Sequence, residues 1–98
     1  MPKAYMVTTY RSIKEPEALA AYAKLATSAM HAAGGRFLVR GVPSKVYELG
    51  MKERTTVIEF ESLAKALAAY ESAAYKDALR ALGEDAVERD MRLVEGVD

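Results

Sequence analysis

Cysteine is absent from this chain of 98 residues. That excludes a disulfide scaffold, a thiolate nucleophile and any zinc or iron–sulfur centre built on cysteine. Histidine occurs once, at His31, so no multi-histidine site can be assembled within one subunit. No metal site and no cofactor is expected. Neither sign of charge prevails: 14 basic and 14 acidic residues give a formal net charge of zero, and nucleic acid is not an expected partner. No apolar run approaches the roughly 18 residues of a membrane span, and the N-terminus shows no signal-peptide hydrophobic segment. No membrane association is expected, and a cytoplasmic location is the default. A phosphate-cradling glycine loop is missing too: Gly34 and Gly35 follow a helical pattern instead of opening one. None of the serines sits in a nucleophile-elbow context.

What is present supports one folded domain over residues 1–98. Hydrophobic residues make up 51% and prolines number only three, which argues against disorder. A core of this size is modest, so a partner subunit would help to bury apolar faces.

Residues 3–10 alternate and are rich in strand formers, with apolar or aromatic side chains on both sides. A turn is expected through Ser12 and Lys14. Pro16 suits the first turn of a helix, and Glu15 and Glu17 its positive end. Leu19, Tyr22, Ala23, Ala26, Met30 and Ala33 make its apolar stripe, and Gly34-Gly35 end it. A second strand covers about residues 35–40, broken by Gly41-Val42-Pro43. Lys45 to Leu49 either continue it or form a short strand, and a polar turn runs from Gly50 to Glu53. Residues 54–60 read as the central strand. Ser62 caps a helix that buries Leu63, Ala66, Leu67 and Tyr70. Ser72 starts a further helical segment with Tyr75, Leu79 and Leu82 on one side, which Gly83 ends. Residues 84–89 read as a charged connection to a last strand at about 90–95.

The order is strand, helix, strand, strand, helix, strand. This is the α+β, ferredoxin-like βαββαβ sandwich with a four-stranded antiparallel sheet and helices on one face. Helices can cover only that face. The apolar character of the first and third strands on both sides calls for a second cover. A homodimer through the sheet face, forming a dimeric alpha–beta barrel, is the expected arrangement.

The stretch Gly34-Gly35-Arg36-Phe37-Leu38-Val39-Arg40-Gly41 is the most distinctive in the chain. With Val57-Ile58-Glu59-Phe60, Ser72-Ala73-Ala74-Tyr75 and the closing Leu93-Val94-Glu95-Gly96, it resembles the small bacterial domain-of-unknown-function 1330 family of the dimeric alpha–beta barrel superfamily. The resemblance covers nearly the whole chain. It implies a ferredoxin-like protomer and a dimer, and no established reaction. Barrels of that superfamily range from monooxygenases to muconolactone isomerase, so fold analogy says little about function. The chain departs from the family pattern at three places. Ala33 stands where many relatives have a histidine, with His31 two residues earlier. Val42 follows Gly41 where a second glycine is common. Glu15 and Pro16 replace an aspartate at the start of the first helix.

Five residues are candidates for ligand contact. By simple alternation Arg36 and Arg40 leave one face of their strand, as a solvated surface or as an anion-binding one. Glu59 lies in an otherwise apolar or threonine-bearing strand and needs a partner, with Arg40 a candidate, or it acts as a base; Glu48 is a weaker alternative. His31 is the one side chain suited to proton transfer near neutral pH. Tyr75 follows a helix start, where its hydroxyl reaches a ligand or ties down the break. Tyr5, Tyr10 and Tyr47 are placed to line an inter-sheet cavity, whereas Tyr22 and Tyr70 read as core. Three functions stay open: binding of a small organic acid or polar aromatic compound, a structural or interaction module without a ligand, and a cofactor-independent enzyme of proton transfer or monooxygenation.

Overall fold

Strand-forming Tyr, Val and Thr residues extend the start of the chain. In the computed structural model, which describes residues 2–97, they form β1 (Ala4–Ile13). The strand runs through Ser12 instead of turning there. The turn comes at Lys14 and Glu15, whose amides both donate to the Ala86 carbonyl, at 2.7 and 3.0 Å. Helix α1 (Pro16–Ala32) begins with proline in its first turn and buries Leu19, Tyr22, Ala26, Ala29 and Met30. Gly34 ends it in the left-handed region, at φ 90, and the Gly35 amide donates to the Met30 carbonyl at 2.8 Å. A Cβ on Gly35 would lie 2.9 Å from both Ile58 Cγ2 and Phe60 Cζ. The second glycine therefore lets the chain pass close over the core as it enters β2 (Arg36–Gly41).

No strand forms at Lys45 to Leu49. That segment is irregular and ends in a turn at Glu48 and Leu49, with Glu48 at φ 53. The chain re-enters the sheet as β3 (Thr55–Phe60). Ser62 then caps α2 (Leu63–Tyr70) by accepting from the Lys65 amide at 3.2 Å. This helix buries Ala66 and Ala69; Leu67 and Tyr70, expected inside, are 45% and 39% exposed. Ser72 caps α3 (Ala73–Leu82), accepting from the Tyr75 amide at 3.2 Å while donating to the Ala69 carbonyl at 2.8 Å. The last strand, β4 (Val87–Glu95), starts three residues earlier than the pattern predicts, because Val87 and Glu88 already pair with Ile13 and Ser12.

The sheet order is β2-β3-β1-β4, with every neighbouring pair antiparallel. Ala4, Met6, Thr8 and Tyr10 of β1 and Thr56, Ile58 and Phe60 of β3 are buried on the inner, helix-covered side. Tyr5, Val7 and Thr9, with Thr55, Val57 and Glu59, take the outer side. Met30, Tyr75, Leu82 and the small alanines of the helices complete the core.

The α+β class and the four-stranded antiparallel sheet are present, but the alpha–beta barrel is not. β2 and β4 are the two edges of the sheet and do not pair with one another, so it stays open. The outer face also differs from the greasy surface read from the first and third strands. It mixes Val7 and Val57 with Thr9, Thr55, Glu59, Asp90 and Arg92, and part of the segment after β2 lies along it. No helix among the described residues is long and apolar enough to cross a membrane.

Candidate functional site: an arginine-lined cavity under the sheet

Pairing register divides the inner face into a polar and an apolar end. In one row Tyr10 pairs with Arg89 on β4, and the Tyr10 amide donates to the Arg54 carbonyl beside β3 at 3.0 Å. In the next row Thr8 faces Thr56 on one side and Met91 on the other, and Thr56 faces Arg40 on β2. Beyond these lie Met6, Ile58, Phe37 and Leu93, then Ala4 and Phe60. Alternation along antiparallel strands keeps such rows on one face.

A cavity of about 20 Å³ sits where the polar rows meet the helices. Its polar wall includes Thr8, Tyr10, Tyr22, Arg54, Thr56 and Tyr75, and its apolar wall includes Met6, Met30, Phe37 and Ile58. The enclosed space is enough for roughly one water molecule. No Asp, Glu, His or Lys lines it among the described residues.

Arg54 is the anomaly of the cavity. Its Nε is buried and meets no hydrogen-bond partner, and its guanidinium carbon lies 5.9 Å from the Tyr10 ring centroid. A buried, unpaired donor on a charged group is costly, and such groups persist where something else supplies the partner. At the rim, Arg40 Nη1 donates to Thr27 Oγ1 at 3.1 Å, and its guanidinium carbon stands 4.6 Å from the Phe37 centroid. Thr27 and Phe37 both line the cavity, so Arg40 borders it.

A third arginine backs the wall. Arg89 Nη1 donates to Tyr10 OH at 2.9 Å and to Tyr22 OH at 3.1 Å, and Nη2 donates to Tyr75 OH at 3.4 Å. The Tyr22 and Tyr75 hydroxyls are 2.5 Å apart. Burial works against the Arg89 charge, but the electrostatics of Tyr22 and Tyr10, with the hydrogen bond to Tyr22, outweigh it and hold the group above the ordinary arginine value. Burial first, and Tyr22 second, push the Tyr75 phenol above its ordinary value, with Arg89 opposing in part. Tyr75 therefore stays protonated at neutral pH.

The five residues proposed from sequence divide between the two faces. Tyr75 lines the cavity, and Arg40 borders it through Thr27. His31, exposed at the end of α1, sits edge-on to Phe37 with centroids 5.6 Å apart, on the same rim region. Arg36 and Glu59 lie on the outer face as register partners of one another. The shared face for Arg36 and Arg40 is thus corrected: the register shifts between Phe37 and Val39, so Leu38 is an extra residue and Arg40 turns inward. Glu59 accordingly has no access to Arg40; its carboxylate meets Lys3 Nζ at 3.5 Å and the Tyr5 hydroxyl at 3.4 Å. Glu48 is exposed in its turn. Among the described residues no three His, Asp or Glu side chains converge as metal ligands would.

Sequence reasoning missed Arg54 and Arg89 as site residues. Arg54 ends the charged run Lys52-Glu53-Arg54, and Arg89 falls in the apparent connection 84–89. The available signal was the apolar alternation of β4 carried back from Met91 and Leu93, which puts Arg89 on their face.

The sequence matches the family described as Domain of unknown function (DUF1330) over residues 3–97. No curated protein matches it. Among solved structures, a protein of unknown function from Rhodopseudomonas palustris superposes with a TM-score of 0.75 at 15% identity, covering 99% of this chain and 84% of that one. A protein provisionally described as an antibiotic biosynthesis monooxygenase from Caulobacter crescentus has a TM-score of 0.64 at 16% identity, over 99% of this chain and 92% of that one. A NipSNAP family protein of unknown function from Agrobacterium tumefaciens has a TM-score of 0.57 at 17% identity, over 97% and 88%. At these identities the likeness is one of fold.

Proposed function

The chain belongs to the DUF1330 family, and on that premise we propose that it binds a small organic acid between the inner sheet face and α1. The observation that carries this reading is the buried, unpartnered Nε of Arg54, a residue whose side chain lines the cavity. Arg40 at the rim and Arg89 behind the tyrosines add positive charge, and no lining carboxylate offsets it. A planar carboxylate matches the donor fork of a guanidinium. The cavity of about 20 Å³ holds roughly one water molecule, so a compact acid requires the long Arg54 and Arg40 side chains to move and an extended polycyclic compound requires far more. Proton transfer by the protein is the weaker reading, since among the described residues the cavity wall offers no carboxylate or histidine as a base.

A thermal-shift titration with butyrate tests the reading. Ligand at ten times its Kd stabilises the native state by about 1.4 kcal/mol, which in a domain of this size raises Tm by several degrees. The wild type should respond in this way and Arg54→Gln should not. An equal response from both, or none from the wild type across a panel of small acids, would overturn it.

A second observation concerns the outer face. Val39 and Val94 are 46% and 50% exposed there, and Leu49 in the segment beside it is 96% exposed. Exposed apolar side chains of this kind, on an otherwise mixed face, favour a cover. We infer that a second copy of the chain supplies it by packing its own open sheet against this one. The interaction-module reading would retain this contact and lose the acid.

A further inference from the structure

Three phenols converge on Arg89, and the protons among them do not balance. Tyr10, Tyr22 and Tyr75 each accept from the Arg89 guanidinium. Their own three hydroxyl protons must then go elsewhere. The contact between Tyr22 and Tyr75 uses one of them, whichever ring donates. The Tyr10 proton, and the remaining proton of the Tyr22–Tyr75 pair, meet no acceptor among the described residues. Asp90, the neighbour of Arg89 in sequence, serves the other face, where it accepts from Thr9 and Arg11 at 3.0 and 3.3 Å. The cluster is therefore rich in donors, backed by a cation, and short of acceptors. Phenols polarised by a neighbouring guanidinium are strong donors toward an acceptor oxygen, a carbonyl included.

The same three tyrosines line the cavity that Arg54, with its unpartnered Nε, also lines. Arg54 and Arg89 stand 5.9 and 5.5 Å from one Tyr10 ring centroid, and because Arg54 shares its cavity with the three tyrosines, an acid held by Arg54 shares that cavity with their hydroxyls. Resting on the small-acid reading above, we propose that the ligand class is the 2-oxo acids: the carboxylate meets Arg54, and the keto oxygen accepts from Tyr10 and from the Tyr22–Tyr75 pair. A 2-hydroxy acid fits less well, because its hydroxyl brings another proton to a site that already has two in excess. A plain carboxylic acid, once its carboxylate is on Arg54, brings no second oxygen group to the phenol donors.

The test compares 2-oxobutyrate, 2-hydroxybutyrate and butyrate. With six tyrosines and no tryptophan, the chain's near-ultraviolet absorption reports on its phenols directly, and calorimetry supplies Kd. Wild type should bind 2-oxobutyrate about tenfold more tightly than either analogue, with a tyrosine difference spectrum. Tyr10→Phe should bring 2-oxobutyrate down to the level of butyrate. Tyr22→Phe provides a second check should Tyr10→Phe fail to fold, and Arg36→Gln, altered on the outer face, should keep the preference. Equal binding of the three acids by the wild type would overturn the 2-oxo assignment while leaving the small-acid reading intact. A preference that survives in both phenol variants would do the same. Failure of all three acids to bind would overturn both readings.

Discussion

Arg36 and Arg40, on the same edge strand, project from opposite faces of the sheet, because the extra residue Leu38 changes the register between them. Arg36 pairs in register with Glu59 outside, and Arg40 with Thr56 inside. The two cations therefore belong to different surfaces. Arg40→Gln should weaken butyrate binding several-fold, a moderate effect because this arginine is exposed at the rim. Arg36→Gln should leave it unchanged. Parallel calorimetric titrations of the two variants measure this, and equal losses would mean that the bulge does not direct Arg40 to the ligand.

Arg54 ties function to a stability cost. Replacing it by methionine removes the buried unpaired Nε while keeping much of the side-chain volume. Arg54→Met should raise unfolding stability in urea by about 1 kcal/mol and abolish acid binding. A marked loss of stability instead would show that the guanidinium is satisfied within the fold.

The paired glycines after α1 have separate tasks. Gly34 lies in the left-handed region with open space around it, whereas a Cβ on Gly35 meets Ile58, Phe60 and the Met30 carbonyl at 2.9, 2.9 and 3.0 Å. Gly34→Ala should cost about 1 kcal/mol from backbone conformation. Gly35→Ala should cost more, about 1–3 kcal/mol, from overpacking. Denaturant midpoints of the two variants check the order.

Alkaline stability should report on Tyr75. Its phenol ionises at a higher pH in the folded chain than the ordinary value of 10.0, mainly through burial. The native state thus holds a proton that the unfolded chain releases, and stability falls as pH rises above about 10. Its contribution is fully present below that value. The decline attributable to this one group approaches 1.4 kcal/mol per pH unit at most, and Tyr75→Phe should flatten it. Urea titrations between pH 8 and 11, taken as approximate bounds around the ordinary phenol value, measure the slope.

Much of the architecture is legible in the chain. Pro16, the glycine pair, and the caps Ser62 and Ser72 mark helix boundaries that the structure reproduces, because local backbone chemistry decides them. Tyr75 was also within reach, since Ser72 fixes the start of its helix. What alternation could not reveal is a bulge: one extra residue at Leu38 reverses every later side chain of the strand, and no residue type there announces it. Arg89 was hidden for another reason. Glu84, Asp85, Glu88 and Asp90 surround it with charge, which masks the strand that tertiary pairing with β1 imposes. Barrel closure failed because a pattern that is apolar on two sides states only that a second cover is favoured, not that edge strands join.

The outer face has its own test. Val57 lies there on a central strand, between Val7 and Val39 in register. Val57→Lys should shift the protein from dimer to monomer in sedimentation velocity, while the inner-face acid response is kept. A wild type that sediments as a monomer at micromolar concentration would remove the second copy from the account.

The most direct measurement follows the Arg54 Nε–H itself, through its side-chain ¹⁵N–¹H resonance during a titration with butyrate. The account predicts a saturable shift of this signal and slower exchange of its proton with water as the carboxylate supplies the missing acceptor. An Arg54 resonance that stays in place while butyrate shifts other signals would contradict the claim that this buried donor holds the ligand.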